Sequence, residues 1–182
     1  MNGIAAYGLL AHGVIVGAMT ALLPFGEWRA RVALAATTMA MLVGIAPAMH
    51  GFFGAPSVSL LVLAIFQLAD RRPSPLGYPA ALTILLFATP FYAASLGGGL
   101  FDPYALGYHP GTLLAALLPF GLLLWWKRLD GWLIVLTADL AGYGSGIFAN
   151  LWDVLFDPML VLLAAAIVVH RRLIPIIAAR SR

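Results

Sequence analysis

Val32 to Ala69 reads VALAATTMAMLVGIAPAMHGFFGAPSVSLLVLAIFQLA, 38 residues without a Lys, Arg, Asp or Glu. As one helix it would be about 57 Å long at roughly 1.5 Å per residue, nearly twice the roughly 30 Å hydrocarbon core of a bilayer. Pro47, Gly51, Gly54 and Pro56 supply turn residues in its middle. The stretch therefore predicts two membrane spans, about Val32 to Met49 and Phe52 to Ala69. The flanking charges agree, because two crossings return the chain to the side it left. Arg29 and Arg31 then share a side with Arg71 and Arg72, whereas a single crossing would separate them.

Working outward, about 20 apolar residues make one span, and further runs extend from Ile4 to Phe25, Pro75 to Leu96, Leu106 to Trp126, Trp132 to Ala149 and Val154 to His170. The expectation is an all-α, polytopic transmembrane helical bundle of seven spans, or six if the uncharged stretch crosses once, with residues 1–182 as a single integral membrane domain. All ten basic residues then fall on one side. Lys127 with Arg128, and Arg171, Arg172, Arg180 and Arg182, join the two arginine pairs, and the alternate segments carry none. Basic residues near span ends resist translocation, so that side is expected to be cytoplasmic, with the N-terminus outside and the C-terminus inside. Trp28, Trp125, Trp126 and Trp132 fall at the cytoplasmic edge, and Phe52, Phe53, Tyr104, Tyr108 and Trp152 at the outer one, as amphipathic rings prefer.

Composition sets the class. The chain is 63% hydrophobic and 9% charged, against about a quarter charged in soluble domains. Its net charge of +3 is spread over four short edges, so the basic residues read as topology anchors and not as a nucleic-acid surface. The expected partners are the lipid bilayer and either further copies of the chain or other membrane subunits. The absence of Cys excludes disulfides, thiolate metal sites and Cys nucleophiles. Met1-Asn2-Gly3 lacks a basic n-region, so the first apolar run is expected to stay as a span. A single lysine amid abundant Ala, Leu, Gly, Pro and Arg suggests a GC-rich genome and a bacterial inner membrane.

Asp139 is the one acidic residue inside a predicted span, roughly 11 Å from its inner edge by helix rise. A carboxylate there costs at least about 2.5 kcal/mol, so it must face protein, water or a partner. Gly142, Tyr143, Gly146, Asn150 and Asp153 follow at helical period and predict a small, polar face running to the outer surface. That face reads either as the wall of a cavity open to the outside or as a close helix contact through Gly142 and Gly146. His12, roughly 14 Å into the first span, is a candidate partner for Asp139 in a proton-linked pair, and Gly8, Gly13 and Gly17 would permit close approach.

On the outer side, His50, Asp102, His109, Asp153 and Asp157 are a possible cation-binding set, but their spacing matches no ligand motif. Phe-Asp-Pro occurs at Phe101 to Pro103 and at Phe156 to Pro158, and in both cases predicts an Asp cap followed by Pro in the first helical turn. The repeated Ala-Leu-Leu-Pro-Phe-Gly, at Ala21 to Gly26 and Ala116 to Gly121, falls at unequal depths and is chance.

Catalytic designs find little support. A retinal Schiff base needs a mid-span lysine, and Lys127 is interfacial. Ser145 has no mid-span His after it to act as base, and His170 stands alone at a span end. No metal site, catalytic residue or cofactor is assigned. The leading expectation is a small-solute binding or transport protein with a cavity open to the extracytoplasmic side, its candidate residues being Asp139, His12, Tyr143, Asn150 and Asp153. The alternatives are a non-catalytic subunit or assembly factor of a larger membrane complex and, third, an intramembrane enzyme.

Overall fold

A computed structural model describes residues 3–69, 74–98 and 101–180. Asp70, Arg71, Arg72 and Arg182 lie outside them. The described chain is all helical: 81% helix and no strand.

Helix α1 (Gly3–Thr20) ends ahead of Pro24, and α2 (Arg29–Leu42) returns against it. The approach is close because α1 presents bare glycine backbone. A Cβ on Gly13 would press on the Met41 side chain, and one on Gly17 would collide with Thr37 and the Ala33 carbonyl. Helix α2 stops at Gly44, whose φ of +83° is a left-handed terminator that a β-carbon would resist. Helix α3 (Ile45–Phe53) continues at an angle of 71° to it. Gly54 (φ +78°), Pro56 and Ser57 then reverse the chain into α4 (Val58–Ala69). The Ser57 hydroxyl accepts from the Leu60 N–H at 3.2 Å and caps the new helix.

The long uncharged stretch therefore holds three helices, where two were expected. Its breaks fall at Gly44 and Gly54–Ser57, not at Met49 to Phe52. Its two ends nevertheless meet: Arg29 donates from Nε to the Ala21 carbonyl at 2.8 Å and from Nη2 to the Gln67 carbonyl. Residues 38 apart in sequence touch only if the chain goes out and comes back.

Helix α4 is the hub, packed by α1, α7, α8 and α9. Helix α5 (Tyr78–Ala93) lies on α9 (Pro158–Arg180), and α6 (Gly111–Trp126) lies on α7 (Asp130–Gly144). The short α8 (Leu151–Leu155) joins α7 to α9. Among the described residues, three helical segments are long and apolar enough to cross a bilayer, Gly3–Thr20, Tyr78–Gly97 and Leu151–Arg172, or four if the bent α2–α3 pair is one span. The seven expected spans are not all met by length, since α4, α6 and α7 have 12, 16 and 15 residues. Glycine and proline breaks shorten them.

The radial distribution is compatible with a lipid surrounding. Buried positions are rich in Ala and hold His12, Ser57, Ser59, Asp139, Asn150 and Asp157, whereas Leu34, Leu42, Leu86 and Trp126 are 69–77% exposed. Water would penalise so large an apolar exterior, and hydrocarbon does not.

The glycine contact between α1 and α2 gives a stability prediction. Gly17→Ala should cost about 1–3 kcal/mol in reversible unfolding, by overpacking. Gly51→Ala, at a helical site where a Cβ meets nothing within 4 Å, should be neutral or stabilise by up to about 1 kcal/mol. Equal effects at the two sites would show that the α1–α2 approach is not close.

Candidate functional site

The site is built where four chain segments end together. The α3–α4 reversal brings Phe53, Gly54 and Ala55; the end of α5 brings Phe91 and Tyr92; a 3₁₀ turn at Pro103–Gly107 brings Tyr104; and the α8–α9 junction brings Trp152, Asp153, Phe156 and Asp157. With Ile4 and Phe148 they enclose a partly open cavity of about 350 Å³. Small-molecule sites run from about 300 Å³ upward.

Each wall has a cause. Phe91 packs between Trp152 (4.8 Å between ring centroids) and Phe156 (5.2 Å), and Tyr92 also lies 5.2 Å from Phe156, which joins α5 to the α8–α9 junction. Asn150 caps α8 by accepting from the Trp152 N–H at 2.9 Å, and donates to the Tyr104 carbonyl at 3.2 Å. Trp152 Nε1 donates to the Pro103 carbonyl at 2.9 Å. Gly107 completes this anchor, because Asn150 and Trp152 occupy the space its Cβ would need. The Tyr104 hydroxyl donates to Asp153 at 2.8 Å, and burial, followed by this carboxylate, pushes the phenol above its ordinary pKa.

Both Phe-Asp-Pro aspartates cap as their spacing predicts. Asp102 accepts from the Tyr104 N–H at 2.9 Å, and Asp157 from the Leu160 N–H at 2.6 Å. Asp157 has a second role that its motif did not reveal: its other oxygen accepts from the Ser57 N–H, across 100 residues of sequence. No local pattern signals a bond of that range.

The predicted residues do not gather as expected. The polar face from Asp139 to Asp153 is not one helical face, because α7 ends at Gly144 and Gly146 turns the chain at φ +73°. Asp139 lies deep between α7 and α4, where Oδ2 accepts from the Ser59 hydroxyl at 2.7 Å. Gly142 packs on Val58, Tyr143 is partly buried against the Val58–Phe148–Val154 cluster, and Asn150 is the anchor already described. Of the candidate residues, Asp153 alone lines the cavity.

His12 does not pair with Asp139. Its Nδ1 bonds the Gly8 carbonyl at 2.7 Å, while His12 Nε2 and Asp139 Oδ1 are each without a hydrogen-bond partner among the described residues. Its ring instead lies 5.9 Å from that of His50, which sits against the bare backbone of Gly8. Hence Gly8 serves α3 and not α7. The outer His and Asp residues do not converge as a set: Asp153 and Asp157 line the cavity, but no group of three or more metal-ligating side chains occurs among the described residues, and His109 and Asp102 are exposed. The Ser145 hydroxyl donates to the Gly142 carbonyl at 2.6 Å, finishing α7.

A larger depression, about 600 Å³, lies at the opposite end beside Arg29 and Glu27. It is a gap along the α1–α2 edge with mostly small apolar walls, and Arg29 is already engaged by the Ala21 and Gln67 carbonyls.

No family model matches the chain, and neither curated proteins nor solved structures give a match.

Since Asn150 holds the Tyr104 wall through one bond and caps α8 through another, Asn150→Ala should lose about 1–3 kcal/mol of stability by leaving the Tyr104 carbonyl and Trp152 N–H short of partners. Thermal unfolding of the purified protein measures this. An unchanged midpoint would mean that the 103–107 turn is held in some other way.

Proposed function

We propose that the protein binds a small solute in the aromatic cavity, from the extracytoplasmic side of a bacterial inner membrane, either as a solute receptor or as the recognition unit of a transporter. The observation that carries this reading is the cavity itself: largely apolar walls with two carboxylates, assembled from segments far apart in sequence. Pockets that hold small molecules have this composition, with apolar surface for affinity and a few fixed polar groups for orientation.

Sidedness follows from charge. The segments that meet at the cavity, near residues 4, 54, 92, 104 and 153, carry no Lys or Arg, while Arg29, Lys127 and Arg128 belong to the alternate segments. By the positive-inside bias the cavity faces out. In this reading α1, bent α2–α3, α4, α5, α6, α7 and α8–α9 are seven passes, with the N-terminus outside and the C-terminus cytoplasmic. The Arg29–Gln67 bond supports the paired crossing of α2–α3 and α4. A single bundle of this size has little room for two rocking halves, so a transport role calls for further copies or a partner that supplies energy.

Cysteine accessibility tests the proposal, since the natural chain has no Cys. Ala55→Cys in the cavity wall should react with a membrane-impermeant thiol reagent in intact cells, and Ser74→Cys should react only after lysis. Labelling of Ser74→Cys in intact cells would overturn the orientation. An unreactive Ala55→Cys in correctly inserted protein would favour the reading as a packed subunit of a larger complex.

A further inference from the structure

We propose that the cavity selects a small organic cation of the quaternary or protonated amine class. The inference rests on the solute-binding reading above and names its ligand chemistry. Seven aromatic side chains line the space, from Phe53 on one wall to Trp152 and Phe156 on the other, and ring faces attract a cation through their quadrupoles. Charge points the same way. Among the described residues, Asp153 and Asp157 are the charged ones of the lining, and no Lys, Arg or His belongs to it.

Both carboxylates are fixed before any ligand arrives. The Tyr104 hydroxyl holds Asp153, while the Leu160 and Ser57 N–H groups hold Asp157. No Lys, Arg or His is among those donors, so a cation entering the cavity meets no charged side-chain competitor for the two carboxyl groups, and beside low-dielectric walls Coulomb attraction is stronger than in water. An anion is repelled. A neutral apolar solute would strip water from the carboxylates and return nothing. A divalent metal ion needs several converging oxygen or nitrogen ligands, and the described residues offer no group of three. An alkylammonium ion meets both features, with its methyl or methylene groups on the rings and its charge opposite the carboxylates.

The test uses the full chain in lipid nanodiscs, titrated calorimetrically with choline, with tetramethylammonium and with 3,3-dimethyl-1-butanol, the uncharged carbon analogue of choline. Choline should bind at least about tenfold more tightly than the alcohol. Asp153→Asn, which keeps an acceptor for the Tyr104 hydroxyl, should weaken choline by about tenfold or more and leave the alcohol unaffected. Phe53→Leu should also weaken choline selectively, and it supplies an independent variant should Asp153→Asn fold poorly. Equal binding of choline and the alcohol, insensitivity to both substitutions, or binding of neither cation would overturn the proposal. The Ala55→Cys labelling separates the two levels: a reactive site with no cation binding removes the ligand assignment alone, and an unreactive site removes the cavity reading with it.

Discussion

A carboxylate buried in an apolar bundle must find donors, and Asp157 finds them on two different segments. One oxygen takes the Leu160 N–H in the first turn of its own helix, and the other takes the Ser57 N–H at the entrance to α4. Helix starts carry N–H groups that no helical carbonyl can reach, so one side chain satisfies a need at two places. The consequence is geometric. The α3–α4 reversal and the α8–α9 junction are pinned together, and the cavity lies between the aromatic residues that flank them, Phe53 on one side and Phe156 on the other. Losing the Asp157 carboxylate would leave these two walls to packing among the described residues.

The rest of the bundle follows the same economy of polar groups. Asp139 is held by Ser59, His12 by the Gly8 carbonyl, and Asn150 by Tyr104 and Trp152. Each bond joins neighbouring elements or stabilises a turn of helix. Helix α4 supplies Ser59 and is entered through Ser57, which is why a helix of 12 residues can stand at the centre. Around these polar bonds the interior is apolar, with leucines such as Leu60, Leu63, Leu136 and Leu151 buried beside alanine, glycine lets α1 and α2 approach, and other leucines such as Leu34, Leu42 and Leu86 face outward. The arrangement combines structural polar bonds within and a lipid-compatible surface without.

Much of the fold was legible because its signals are local. The uncharged run from Val32 to Ala69 is too long for one helix, and the Arg29–Gln67 contact shows that the chain reverses within it. The two Phe-Asp-Pro caps were legible for the same reason. The site was much less so. Helical period was carried from Asp139 through Asp153, but Gly144 and Gly146 end the helix, and a glycine pair can serve either as a contact or as a break. Depth and the nearby glycines suggest pairing His12 with Asp139, but neither says which helices are neighbours: α4 stands beside both α1 and α7. The aromatic cavity is not legible in the sequence because its walls come from segments near residues 53, 91, 104 and 156: Phe53 and Tyr104 read singly as interfacial rings, and Phe91 and Phe156 as ordinary apolar residues of their spans. Tertiary contacts bring them into one place: the Asp157–Ser57 bond joins the first wall to the last, the Asn150, Trp152 and Asp153 bonds hold the Tyr104 turn, and ring packing holds Phe91.

The most direct test of this account is amide hydrogen exchange at Ser57 and Leu160 in the wild-type chain and in Asp157→Ala, both in lipid nanodiscs. If Asp157 joins the two reversals, both amides are protected in the wild type and both exchange faster in the variant, together with the neighbouring amides of residues 54–57. Faster exchange at Leu160 with Ser57 unchanged would show that Asp157 is only the cap of its own helix, and the cavity would need another explanation for its walls.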